Sequence, residues 1–315
     1  MPRFAIVIAL ALSTVGCLKS PSEKLAQLSE EFIDTTLSFS PSLATSVGLH
    51  KYGGQNLDGL LDDVGSQNLD RQRRFYQDFL DRLQAHDSRK LPAEDQADFA
   101  MLQDQCSLAL MDFNDIHPHL HNPTMYVETL GNALFSPFVL EYAPKAERYR
   151  HLISRLQKVP LFLDQAAVNL TSSPGIWTNV AIQENQGNID LVNKTIRAAM
   201  PAELGSDYAQ AARTALEAMH KFDTYLRTSL SARDSADWRL GQERYTRRFR
   251  LVLETGGEAD NTLAAAEREL DRVRGEMFQI ATPLHRQMFP AHNEHSELSG
   301  DALKNQVIGE VLRRG

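Results

Sequence analysis

The chain has 315 residues, 42% of them apolar, and a formal net charge of -8, enough for one large or two small domains around a substantial core. Acidic residues outnumber basic ones, so no basic footprint exists to neutralise a phosphate backbone, and nucleic acid is not an expected partner. Arg244, Arg247, Arg248 and Arg250 cluster between acidic stretches, where a solvated helix face accounts for them.

Arg3, an apolar run from Phe4 to Leu12 and the small residues of Thr14-Val15-Gly16 lead into Cys17. This arrangement resembles the lipobox of bacterial lipoproteins, in which the cysteine is lipidated and becomes the new N-terminus. Residues 1–16 are then a signal peptide, Cys17 carries the anchor, 17–24 form a tether, and 25–315 hang from the membrane in the cell envelope, in the periplasm or on the outer membrane. The apolar run is well short of the ~20 residues needed to span a bilayer.

Beyond the tether, apolar residues recur at helical spacing and period-two runs are missing, which predicts an all-α, elongated multi-helix array. Leu25, Leu28, Phe32 and Phe39 mark a first helix, and Pro41 opens a short second one before a loop at Gly48, Gly53 and Gly54. Leu69, Phe75, Phe79, Leu80 and Leu83 stripe a third. Pro92 opens a fourth, antiparallel to it, whose apolar side carries Cys106 as an inert buried thiol. Two prolines between Asp115 and Pro123 predict a rigid, non-helical connector. A helix from Pro144 to Leu170 is expected to kink at Pro160, and Ser172-Ser-Pro-Gly175 to turn the chain. Regular apolar faces then follow at Tyr208 to Leu226 and at Leu263 to Ile280, and one domain is the simplest account.

None of the ten histidines is followed by Glu, so the His-Glu-x-x-His zinc signature is absent. His117-Pro-His-Leu-His121 could turn three imidazoles to one side of an extended segment, and His292 and His295 form an i, i+3 pair in a polar stretch. A solvated connector is the commoner outcome for both, and the expectation is no catalytic residue and no metal site. Glu267 and Asp271 are spaced as solvated carboxylates, and no phosphate loop or nucleophile elbow is present.

From Phe32 to Met288 the chain resembles the bacterial family catalogued as domain of unknown function 885. The resemblance rests on Phe32-Ile-Asp, Ser40-Pro-Ser-Leu-Ala-Thr-Ser-Val-Gly-Leu-His50, Asn122-Pro123 with Tyr126, and Trp177 with Ala181 and Gly187. It continues in Trp238-Arg-Leu-Gly-Gln-Glu-Arg-Tyr245, Glu267-Arg-Glu-Leu270 and Glu276-Met277 with Ile280-Ala281. It implies one half of a deep-cleft, zinc-metallopeptidase-like helical fold. Zinc is expected only in longer relatives, whose His-Glu motif follows the matched region, and a peptide substrate would be bound together with that second half. Trp177 and Tyr245 are the expected cleft-lining residues. Gly241, one turn before Tyr245, is expected to let another element approach the ring. The alternative is a helical peptide- or solute-binding lipoprotein without catalysis.

Overall fold

The computed structural model describes residues 20–314 apart from 236, 254–256 and 292–294. The chain is all-α, and its helices follow the apolar stripes. Ser20 opens helix α1 (Pro21–Phe39) with a reciprocal cap: the Glu23 amide donates to Ser20 Oγ at 3.2 Å, and the Ser20 amide donates to the Glu23 carboxylate at 2.7 Å. The helix therefore begins inside the stretch expected to be tether. Helix α2 (Pro41–Val47) ends at Gly48, whose φ of 91° closes the turn. A two-residue hairpin of β1 (Lys51–Tyr52) and β2 (Gln55–Asn56) fills the glycine loop.

Helices α3 (Ser66–Gln84) and α4 (Ala93–Met111) pack together against α1. Leu25, Leu28, Phe79, Leu83, Phe99, Leu102 and Cys106 form their shared core. Cys106 is completely buried there, and burial pushes its thiol up to about 12, as an inert core thiol requires.

Between Asp115 and Pro123 the chain is more helical than its prolines suggest. A wide π-type turn (Asp112–Ile116) runs into His117, which adopts φ 53° instead of the extended conformation that Pro118 favours. One turn of helix, α5 (Pro118–His121), follows, and α6 (Pro123–Val139) starts on an Asn122 cap. The expected kink at Pro160 is a full break: α7 (Lys145–Leu156) ends, and α8 (Val159–Asn169) restarts with Pro160 in its first turn, where a missing amide costs nothing.

Helices α9 (Gly175–Asp190), α10 (Arg197–Ala199) and α11 (Gly205–Tyr225) complete the larger core with α6, α7 and α8. α9 and α11 each end in a wide turn, at Leu191–Ile196 and Leu226–Leu230. Near its end this part of the chain pairs with the Ser172–Gly175 turn. The Ser235 amide donates to the Ser173 carbonyl at 3.1 Å, and the Gly175 amide donates to Asp234 Oδ1 at 2.7 Å. Asp234 thereby supplies the anionic cap that Pro174 cannot give α9.

The chain divides into two compact units after Leu240. The second unit consists of α12 (Gln242–Leu253), α13 (Ala259–Met288) and α14 (Gly300–Arg314), with α13 packed on α14. Helix α13 buries Ala281 and His285, while Leu263, Leu270, Met277, Ile280 and Leu284 stay exposed, Ile280 by 66%. Arg272 holds the helix on its charged side by ion pairs to Glu269 and Glu276. Among the described residues no helix is long and apolar enough to cross a membrane.

Candidate functional site

Cys17 and His292 lie outside the described residues. Trp177 is half-buried in the first turn of α9, its amide donating to the Pro174 carbonyl at 2.9 Å. Tyr245 belongs to the second unit, is half exposed, and lies against Phe249 on α12. Nothing lies within 4 Å of a Cβ placed on Gly241, so that glycine serves its φ of 77° ahead of α12 and not the approach of another element. Among the described residues, the three imidazoles of 117–121 do not bring their ring nitrogens together as a set of metal donors. His121 Nδ1 is 3.0 Å from Ser172 Oγ, and His119 meets Phe113 and, edge-on, His117. One helical turn replaces the extended segment that would have aligned them.

His119 instead helps to line a cavity of about 340 Å³ in the first unit, between α3, the end of α4 and the start of α6. Tyr76, Phe113, Met125 and Tyr126 give it an apolar wall, and Asp62, Asp63 and Asp112 bring carboxyl groups to it. Burial raises the Asp62 carboxyl above its usual range despite a 3.1 Å hydrogen bond from the Ser42 amide. Burial, followed by the neighbouring His117 and His121, lowers the His119 imidazole. An apolar wall beside these few polar groups suits a ligand with an apolar part and a hydrogen-bonding edge.

Behind this wall, the run from Ser40 to His50 builds a buried polar network. Arg155 is fully buried on α7 and donates to the Ala133 carbonyl at 2.6 Å, to the Pro41 carbonyl at 3.1 Å and to Thr45 Oγ1 at 2.6 Å. Thr45 Oγ1 donates to Asp58 Oδ1 at 2.9 Å, and that oxygen also lies 2.9 Å from His50 Nδ1. His50 stacks on Tyr142, whose hydroxyl is 3.2 Å from His151 Nδ1. Every tie here joins one helix or loop to another, so the network fixes α2, α6 and α7 together; it is a framework under the cavity wall.

A cluster that the sequence did not announce lies in the second unit. His285 from the last turn of α13, His295 from the following loop and Glu310 from α14 place their donor atoms within 4.8 Å of one another. Both histidines are buried. Hydrogen bonds to His285, Gln306 and His295 hold the Glu310 carboxyl down at about 2.

The family described as "Bacterial protein of unknown function (DUF885)" matches residues 41–309. A solved structure of a Shewanella oneidensis protein, described as a candidate lipoprotein of unknown function, superposes with a TM-score of 0.73 at 19% sequence identity, covering 91% of this chain and 52% of that one. This chain thus spans about half the length of that relative. No curated protein matches the chain. The agreement of helical architecture with a family match across both units settles the assignment: the chain belongs to the DUF885 family of bacterial proteins.

Proposed function

We propose that this chain is the non-catalytic N-terminal half of an exported, membrane-anchored, zinc-metallopeptidase-like protein, in which it supplies a helical wall for an extended peptide. The single observation that carries the reading is the bare apolar stripe of α13. Leu263, Leu270, Met277, Ile280 and Leu284 recur at helical spacing, as core residues do, yet stand in solvent. Such a stripe costs solubility unless another polypeptide segment covers it. The Shewanella oneidensis protein, about half of which this chain spans, supports the same reading. No histidine of this sequence is followed by Glu, so no hydrolytic step is assigned to its residues. Cys17 is the proposed lipid attachment, and Trp177 and Tyr245 are proposed to face the peptide.

Reading the coding sequence past codon 315 tests the proposal. An in-frame His-Glu zinc motif is the expected result, with peptidase turnover by the joined halves and none by this chain alone. An immediate stop codon together with a stable, monomeric chain would sink it. The cavity beside His119 favours a second reading, a peptide- or solute-binding lipoprotein without chemistry. That reading predicts saturable binding of short apolar peptides, weakened by Tyr76→Ala and Phe113→Ala, with no cleavage in any form of the protein.

A further inference from the structure

We propose that His285, His295 and Glu310 bind one divalent transition-metal ion, zinc by preference, as a clasp joining the end of α13 to α14. Imidazole and carboxylate together suit Zn²⁺ over Mg²⁺ or Ca²⁺, which prefer all-oxygen sites. Three protein donors supply all but one of the four positions of a zinc tetrahedron.

The donors already face a common point. Glu310 Oε2 is 2.6 Å from His285 Nε2 and 3.0 Å from His295 Nε2, so both rings present the same nitrogen to the same oxygen. Donors around tetrahedral zinc, at bonds of about 2.0–2.2 Å, stand about 3.3–3.5 Å apart, so opening this trio by less than about 1 Å admits the ion. No backbone rearrangement is required.

The surroundings orient each donor, as the outer hydrogen-bond partners of metal ligands do. Gln306, one turn earlier on α14, donates to the other oxygen of Glu310 at 2.5 Å and leaves Oε2 for the histidines. The His285 ring lies against Phe289, with centroids 5.0 Å apart, and the Arg314 guanidinium lies over that phenyl ring. His295 holds a φ of 51°, a conformation that a residue with a Cβ adopts at a cost, and that conformation brings its ring into the trio. The second unit has few buried apolar side chains, Ala281 and Val307 among them, so a metal clasp would supply stability that its core does not.

The test uses the full chain without an affinity tag, stripped with chelator and titrated with Zn²⁺ by calorimetry, with Co²⁺ as a spectroscopic substitute. One ion per chain is expected, with a d–d absorption typical of four-coordinate cobalt and a raised Tm. Gln306→Ala should weaken binding about 10- to 100-fold, as outer partners of metal ligands do, and His285→Gln, His295→Gln or Glu310→Gln by more. Replacing His117, His119 and His121 together should leave affinity unchanged. No stoichiometric binding by the wild-type chain, or binding that survives the ligand substitutions, would overturn the proposal. Circular dichroism of each variant reports its folding; should the α13 and α14 variants unfold, His295→Gln in the loop and the cobalt spectrum of the wild-type chain still decide. None of these readouts depends on peptidase activity, so the clasp stands or falls apart from the function proposed above.

Discussion

Arg155 is fully buried, and burial lowers the pKa of its guanidinium. Its guanidinium donates to the carbonyls of Pro41 and Ala133, so removing it takes a donor from each as well as emptying its site. Arg155→Met is expected to cost about 3–5 kcal/mol, read as a lower urea midpoint at unchanged slope, and a loss below about 1 kcal/mol would show the network to be dispensable. Asp62 has the opposite character. Its raised pKa means that the folded chain keeps a proton over a pH range where the unfolded chain has released it, so stability falls as pH rises through that window. Asp62→Asn retains an acceptor for the Ser42 amide and removes the charge. It should therefore be more stable than the parent near neutral pH and converge with it in acid, a trend that thermal melts across pH can check.

At the scale of elements, α6 and α9 approach closely because Gly131 has no side chain. A Cβ there would lie 2.7 Å from Asn188 Oδ1, and Asn188 cannot swing away without giving up its 2.8 Å bond to the Val127 carbonyl. Gly131→Ala is expected to cost about 1–3 kcal/mol in thermal unfolding, although alanine is the better helix former. The helices themselves were legible: the stripes of α3 and α11 read directly as 3.6-residue periodicity, and Cys106 fell on its predicted buried face. Periodicity reports that a face is apolar and not what covers it, which is why the stripe of α13 looked like core and is exposed. Prolines misled in both directions, giving helix at Pro118 and a break at Pro160, because a proline in a first turn starts a helix as readily as it stops one. Of the trio, the sequence singled out His295 only as a partner of His292; its grouping with His285 and Glu310 was not legible, because the two histidines lie 25 and 15 positions before Glu310 and match no fixed spacing. The signal that could have found them was the pairing of α13 with α14, which brings the end of one helix beside the other.

For the whole molecule, the cores of residues 20–240 close among their own helices, so this unit is expected to unfold cooperatively when expressed alone, in a transition that different probes follow together. The pairing of Asp234 with the Gly175 amide bears on its synthesis. Residues join the chain in order, and the two partners are 59 positions apart, so the ribosome releases α9 well before the carboxylate that quiets its first amides. Until then the start of that helix is expected to fray, leaving Ser172–Gly175 of the nascent chain more open to proteases. Ending the unit at Leu230 instead of Leu240 should make that defect permanent, at a cost of about 1 kcal/mol or more and with faster cleavage near Pro174 in limited proteolysis. Equal protection of the two fragments would mean that the late-arriving segment is ornamental.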